Sequence, residues 1–302
     1  MGSHISPSEN PEKIPIAPLK VISFDKLLSG SHIEIVKLVD ICKSLGFFYL
    51  NLTSAGQSVL DGSQDVLQFM EGYFDQPLEV KLQDVSESEM KARAPQLPKS
   101  VKENMVLFDN FISGSHLVVL KLLECLSTGL GLTGAARFEN KHRADVPART
   151  TMVLLRYPKQ LEEGRGIGHN MHTDIGSLTL LFCESYGLQV LSPETNEWGF
   201  IAPKAGHAVI NVGDSLRFLS GHKLSSCVHR VLPITERQEE HRYSIAYFLR
   251  PEDNAVYVDS KGRELSAKAW HDEKYQVFRE PHEKQEQDMV LTGGMEKSGM
   301  LM

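Results

Sequence analysis

The residues best placed to do chemistry are His172, Asp174 and His229. His172-Thr173-Asp174 is a His-x-Asp triplet. On a strand, positions i and i+2 share a face, so one imidazole and one carboxylate can approach a single ion from one short segment. The third donor must come from elsewhere. His229, inside Ser226-Cys227-Val228-His229-Arg230-Val231, is the best candidate, and the 57 residues after His172 are enough chain for several strands. Two histidines and one carboxylate on one octahedral face leave three positions open. That suits iron(II) binding O2 together with an organic chelate, whereas zinc favours a closed tetrahedral set or a single open position. The triplet alone is weak evidence, because with 12 histidines in the chain a downstream one is nearly guaranteed.

Arg242-Tyr243-Ser244 follows His229 by 13 residues. Arg242 and Ser244 share one strand face, and an Arg fork with a Ser hydroxyl can hold a carboxylate by three hydrogen bonds. Other candidates are less persuasive. His169 is read as a loop residue leading into a strand, and His207, His222 and His241 as surface or turn residues. Cys227, two before His229, is either a neighbour of the site or a packed thiol, with packing the simpler reading. The aromatic run Phe47, Phe48, Tyr49 reads as core.

The elements that must position these groups follow from the pattern. Residues 1–20, with Pro7, Pro11, Pro15 and Pro18, form an extended lead-in. Residues 21–148 are helix-rich. Ile33, Val36, Val39 and Cys42 give an apolar stripe on a helix capped by Ser31 and stopped at Gly46. Gly46–Leu50 reads as a buried strand, and helices are expected over Val59–Phe74 and Gly114–Leu130. Residues 84–104 read as a surface loop. From 149 to 253 the chain is strand after strand: Thr151–Tyr157, Ser177–Cys183, Leu188–Val190, Trp198–Ile201, His207–Val212, Ser226–Leu232 and Arg242–Leu249. Residues 254–302 return to helix around Ser266–Gln285 and end in a loose tail over the last dozen residues. The expected fold is mainly β with flanking helices, its short antiparallel strands closing as a jelly roll.

In order, these segments resemble the isopenicillin N synthase-like group of iron(II)/2-oxoglutarate-dependent dioxygenases. The likeness runs from Ile14-Pro15-Ile16 and Gly46-Phe47-Phe48-Tyr49 through Leu155-Arg156-Tyr157-Pro158, His172-Thr173-Asp174-Ile175-Gly176-Ser177-Leu178-Thr179-Leu180-Leu181 and Gly187-Leu188-Gln189-Val190. It continues through Trp198 and Asn211-Val212-Gly213-Asp214 to Val228-His229-Arg230-Val231 and Arg242-Tyr243-Ser244. The resemblance implies a double-stranded β-helix core, with His172, Asp174 and His229 as iron ligands. It implies Arg242 and Ser244 on the distal carboxylate of 2-oxoglutarate, and Tyr157 as a further contact to that cosubstrate. Gly213 reads as a tight-turn residue, and Asn211 and Asp214 as turn and supporting polar groups rather than ligands. Many plant members carry Asn-Tyr-Tyr-Pro where this chain has Leu155-Arg156-Tyr157-Pro158, a form similar to isopenicillin N synthase and fungal relatives. The implied reaction oxidises a small molecule with O2 while 2-oxoglutarate is decarboxylated to succinate, with hydroxylation the default and desaturation or ring chemistry as variants. Fungal relatives often act in secondary metabolism, and the N-terminal half, the 84–104 loop and the C-terminal helix would read the substrate.

Two rivals remain at this level. An oxidase using O2 without 2-oxoglutarate also carries the Arg-x-Ser pair and uses it on its substrate, so Arg242 and Ser244 do not separate the two. A catalytically silent jelly-roll binding protein is the other. Net charge −7 and pI near 6 argue against sequence-independent nucleic-acid binding and against docking on anionic membranes. No secretory leader is evident, and no unbroken apolar run approaches the length of a membrane span. Four scattered cysteines, Cys42, Cys125, Cys183 and Cys227, read as reduced thiols. A monomeric cytoplasmic enzyme without nucleic-acid or membrane partners is expected.

Overall fold

The structure, a computed structural model, describes residues 14–83, 97–161, 168–235 and 237–295. The N-terminal region runs β1 (Val21–Ser23), α1 (Phe24–Leu28), α2 (His32–Lys43), β2 (Phe47–Asn51), α3 (Gln57–Phe74), α4 (Leu78–Leu82), α5 (Lys99–Glu103) and α6 (Met105–Gly129). The strands follow as β3 (Thr151–Tyr157), β4 (His169–His172), β5 (Leu178–Phe182), β6 (Leu188–Leu191), β7 (Trp198–Phe200) and β8 (His207–Val212). Then come α7 (Asp214–Leu219), β9 (His229–Val231), β10 (Arg242–Leu249), β11 (Val256–Val258), β12 (Glu264–Ser266), α8 (Ala267–Phe278) and α9 (His282–Gln285).

Two sheets make the core: a major sheet in the order β1-β2-β8-β5-β10-β3 and a minor sheet in the order β4-β9-β6-β7. The apolar run of β2 is explained by burial on both faces. Phe48 and Leu50 join α2, α3 and α6 in a large core on the outer side of the major sheet. Phe47 and Tyr49 turn inward, toward Val209, Leu188, Val190 and Val231 between the sheets. The lead-in is tied to the minor sheet, since Ala17 N–H donates to Phe200 O and Phe200 N–H to Pro15 O, at 2.9 and 2.7 Å.

Some expectations need correction. In α2 the buried residues are Ile35, Leu38, Val39, Ile41 and Cys42 with Glu34, while Ile33 and Val36 are exposed. Steps of three wind around a helix of 3.6 residues per turn, so they do not mark one face. α6 begins at Met105, nine residues before Gly114. Gly114 is a close-packing position: a side chain there would meet Val59 of α3 at 3.0 Å. By length and composition α6 is apolar enough to cross a membrane, although polar residues interrupt its apolar run. Here Phe111, Val118, Leu122 and Leu126 are buried against α2, α3 and the major sheet. Of the expected 84–104 loop, residues 84–96 lie outside the described part, and Lys99–Glu103 is helical. The expected C-terminal helix is broken at Pro281 into α8 and α9.

The C-terminal segment is not loose as far as Met295. Leu291 is buried, its carbonyl accepts Thr173 N–H at 2.8 Å, and Gly293 O accepts from Ser260 Oγ at 2.6 Å. Residues 296–302 lie outside the described part. α8 docks through a fully buried cation: Lys274 Nζ donates to Asp214 Oδ2 at 2.6 Å and to Thr173 Oγ1 at 2.7 Å. Ser226 Oγ donates to Asp214 Oδ1 at 2.8 Å, and Arg217 Nη2 approaches the same oxygen at 3.3 Å. Lys274→Met is expected to cost about 3–5 kcal/mol, because it leaves a buried carboxylate without its nearest cation. Urea unfolding measures this, and Lys274→Met with Asp214→Asn should recover part of the loss. A variant as stable as wild type would show that the pair carries no stability.

His142 supplies a pH dependence. It is buried, donates Nδ1–H to Phe138 O at 2.7 Å and accepts from Ser177 Oγ at Nε2, also 2.7 Å. Burial pushes its pKa down to about 4 from 6.5. Between those values the unfolded chain binds a proton that the folded protein refuses. Stability should therefore fall as pH drops from about 6.5 to about 4, by up to roughly 3 kcal/mol. Unfolding midpoints across that range should flatten in His142→Gln; an unchanged slope would assign the effect to other groups.

Candidate metal centre and carboxylate pocket

The antiparallel pairing of β4 with β9 sets His172 directly opposite His229. Cross-strand partners lie side by side, and the two imidazole rings are 4.2 Å apart between centroids. The 57-residue gap in sequence is thus closed by one rung of the minor sheet. A register shift between His169 and His172 marks a bulge, the kind of irregularity that re-aims side chains beside a site.

Asp174 does not reach the pair by strand alternation, as the triplet pattern suggests. β4 ends at His172, and Thr173 and Asp174 leave it. Their path is held by the Thr173–Leu291 bond and by Asp214 N–H donating to Asp174 O at 2.8 Å. Gly213 permits this crossing through its size. Its φ of −103° is ordinary, but a Cβ there would meet Gly176 O at 2.3 Å and Asp174 O at 3.1 Å. The tight-turn reading of Gly213 is replaced by close backbone approach.

The donor atoms are arranged for an ion. His172 Nδ1 donates to Asn170 O at 2.7 Å, and His229 Nδ1 donates to Cys227 O at 3.1 Å. Each bond fixes the tautomer and leaves the Nε2 lone pair available. Asp174 Oδ2 accepts from Thr179 Oγ1 at 2.5 Å and from Asn211 Nδ2 at 2.6 Å. Oδ1 faces His172 Nε2 at 3.7 Å and His229 Nε2 at 3.6 Å. Those separations are too long for hydrogen bonds, and the three residues offer ligand atoms all within 4.8 Å of one another. Burial would raise the Asp174 carboxyl, but His229, His172 and Asn211 hold it well below the usual carboxylate range. Burial, reinforced by His229, holds His172 well below an ordinary histidine, so it is a neutral donor. The donor set therefore fits a divalent cation. Phe47 lies edge-on to His229 at 5.2 Å and Phe278 of α8 edge-on to His172 at 5.3 Å, walling the centre with apolar rings.

The second cluster sits on the inner face of the major sheet, whereas the two histidines belong to the minor sheet. Arg242 pairs with Tyr157 across β10 and β3, and its guanidinium lies 5.0 Å over the Tyr157 ring. Arg242 Nε donates to Tyr186 O at 2.9 Å and Nη1 to Ser244 Oγ at 2.8 Å. The residue is 1 % exposed and forms no ion pair among the described residues. Burial pushes the Tyr157 hydroxyl up to about 12, with Arg242 opposing, so it remains a neutral donor. Gly187 makes room for this fork, since a Cβ there would lie 2.8 Å from Arg242 Nε. A fully buried cation without a carboxylate calls for an anion from outside the chain.

The other candidates fall outside the two clusters. His169 opens β4 instead of lying in a loop, with its ring 5.8 Å from that of His172 and 6.1 Å from that of Tyr157. It borders both clusters without joining the metal-ligating set. His222 and His241 are exposed, and His207 opens β8 half-buried. Cys227 is a packed thiol whose Sγ donates to Leu191 O at 3.0 Å. Asn211 and Asp214 are supporting groups as expected, although Asn211 lies in β8, not in a turn. Sequence reasoning does not single out Thr179, Lys274 or Leu291. Thr179 carries a signal, since it faces inward on β5 five residues after Asp174; Lys274, a lysine in the buried stripe Ala267, Trp270, Lys274, carries a weaker one.

Residues 139–251 match the model of the 2OG-Fe(II) oxygenase superfamily. The chain is 54% identical over 67% of its length to the 2-oxoglutarate-dependent dioxygenase iboH of Amanita muscaria, covering 98% of that protein. It is 44% identical over 94% of its length to the oxidoreductase vrtI of Penicillium aethiopicum, covering 76% of it. In fold it is similar to a full-length Neurospora crassa protein crystallised with alpha-KG and 5-formyluracil, with a TM-score of 0.66 and 23% identity over 86% of this chain and 95% of that one. These matches favour the 2-oxoglutarate-using reading over the O2-only oxidase and the silent binding protein, and with them come iron(II), 2-oxoglutarate and O2 as the reagents. The chain belongs to the 2OG-Fe(II) oxygenase superfamily and is a 2-oxoglutarate-dependent dioxygenase with a jelly-roll core.

Proposed function

We propose that His172 Nε2, Asp174 Oδ1 and His229 Nε2 hold the iron, and that Arg242, Ser244 and Tyr157 hold the distal carboxylate of 2-oxoglutarate. The observation that carries the second assignment is the buried guanidinium of Arg242, without an ion pair among the described residues, on the inner face of the major sheet beside Tyr157, whose ring and that of His172 are both bordered by His169. When bound, iron, 2-oxoglutarate and O2 supply the oxidation of a C–H bond, coupled to loss of CO2 from the keto acid. The residues orient and shield. Thr179 and Asn211 fix one Asp174 oxygen so that the other stays aimed at the imidazoles. Arg242 anchors charge and transfers no proton. Phe47 and Phe278 keep water from the triad.

The substrate class is a small molecule. The reading extends to fungal secondary metabolism, supported by the fungal relatives, and to a monomer in the cytoplasm without nucleic-acid or membrane partners, supported by the acidic charge and the unpaired thiols. In this reading residues 1–20 are the extended lead-in, 21–148 the helix-rich region, 149–253 the dioxygenase jelly-roll core and 254–302 the C-terminal helix and tail.

Anaerobic titration of the iron(II)-loaded protein with 2-oxoglutarate should produce a weak visible charge-transfer band. Arg242→Met should keep its iron yet need at least about tenfold more 2-oxoglutarate, as expected for a lost charge-assisted bond. His172→Ala and His229→Ala should lose iron. An unchanged 2-oxoglutarate requirement in Arg242→Met would remove Arg242 from this role, and iron retention by both histidine variants would overturn the ligand set.

A further inference from the structure

A second arginine, Arg250, follows directly on β10 and continues the alternation that begins at Arg242. Residues 242, 244, 246, 248 and 250 alternate to the inner side, whereas Ile245, Tyr247 and Leu249 point into the helical core. Phe248 pairs with Thr179, the residue that fixes Asp174, so Arg250 lies beyond the metal level, at the opposite end of the strand from Arg242. Its stem passes over the metal loop: a Cβ on Gly176 would lie 3.0 Å from Arg250 Cγ. Its guanidinium lies 5.6 Å over the Phe248 ring. Nη1 donates to Arg149 O, and Nε is buried without a hydrogen-bond partner.

The nearby acids pair with other cations, although Asp253 Oδ1 has no hydrogen-bond partner. Arg149 takes Asp253 at 3.6 Å and Asp272 at 3.5 Å. Asp272 also receives Lys268 at 2.6 Å and His271 at 3.0 Å. Asp174 is committed to Thr179, Asn211 and the imidazoles. Among the described residues Arg250 forms no ion pair of its own. Burial pushes its pKa down to about 10 against the pull of Asp174 and Tyr275, which is the mark of a cation short of a counter-charge. Arg250, half-buried where Arg242 is fully buried, is thus a second guanidinium without an acidic partner of its own among the described residues.

We propose that Arg250 binds a carboxylate of the substrate and so sets which of its C–H bonds faces the iron. Its neighbours fit that role. Thr151 and Val153 of β3 are half-buried and face the same side as Phe248 and Ala246, with which they pair, and Phe278 stands over His172. The substrate class that follows is a small organic acid, its acidic end on Arg250 and its apolar part along these side chains. The inference rests on the placement of metal and 2-oxoglutarate given above.

The test uses the full chain loaded with zinc(II), which cannot turn over, and saturated with 2-oxoglutarate so that Arg242 is occupied. Hexanoate, phenylacetate and their amides are titrated by calorimetry. At least one acid should bind tenfold or more tightly than its amide. The preference should fall within twofold in Arg250→Gln and be partly kept in Arg250→Lys, while 2-oxoglutarate affinity and melting temperature stay near wild type. Equal binding of acid and amide, no binding by any acid, or a preference that survives in Arg250→Gln would each overturn the proposal while leaving 2-oxoglutarate binding intact. A loss of 2-oxoglutarate affinity in Arg250→Gln would reassign Arg250 to the cosubstrate. Failure of 2-oxoglutarate to bind the wild-type protein would overturn both this inference and the reading beneath it.

Discussion

The two oxygens of Asp174 are treated differently, and much of the structure maintains that difference. One is saturated by Thr179 and Asn211 from the major sheet. The other is left for whatever the two imidazoles also face. A buried carboxylate this close to two histidines would ordinarily relax into direct hydrogen bonds. Here the Nδ1 bonds of both histidines to backbone carbonyls and the bonds on Oδ2 hold the partners at arm's length. The spacing is then set by the scaffold, and a metal ion can enter without first breaking a protein–protein bond.

That spacing depends on elements distant in sequence. The minor sheet brings the histidines together across one rung. The loop that carries Asp174 is fixed from below by the 213–214 backbone and from outside by Leu291. Thr173, which stands between His172 and Asp174 in the chain, hydrogen-bonds both Asp214 and Lys274, so the C-terminal helix and the metal loop share one buried charge cluster. Packing of α8 and geometry at the metal are therefore coupled, although Lys274 touches none of the three ligands.

The inner face of β10 organises the rest. Arg242 and Arg250 stand near opposite ends of one strand, with the metal level between them, and each lacks an acidic partner among the described residues. Leaving the fully buried guanidinium of Arg242 unpaired is costly unless an anion arrives to meet it, and half-buried Arg250 shares that cost in part. In the proposed reading the site is completed by its ligands.

Most strands of the two sheets and the longer helices are legible in the order of residues, while β1, β11 and β12 and the short helices α1, α4, α5 and α7 are not. Short runs rich in Val, Ile, Leu and Phe between turn residues locate β3, β8 and β10 to the residue, and the placing of Arg242 and Ser244 on one face follows from strand alternation alone. Ile33 and Val36 mislead because an apolar residue is recognisable in sequence, but the face it occupies depends on the helix's neighbours. Gly114 resembles a boundary because a glycine packed against another helix is indistinguishable, in sequence, from one that ends a helix. The packed fold is needed to see that Asp174 reaches the site from a loop, that Gly213 serves close approach, and that Lys274, Leu291 and Arg250 belong to the same neighbourhood. Those facts are contacts between residues far apart in the chain, and local spacing carries no record of which surfaces will meet.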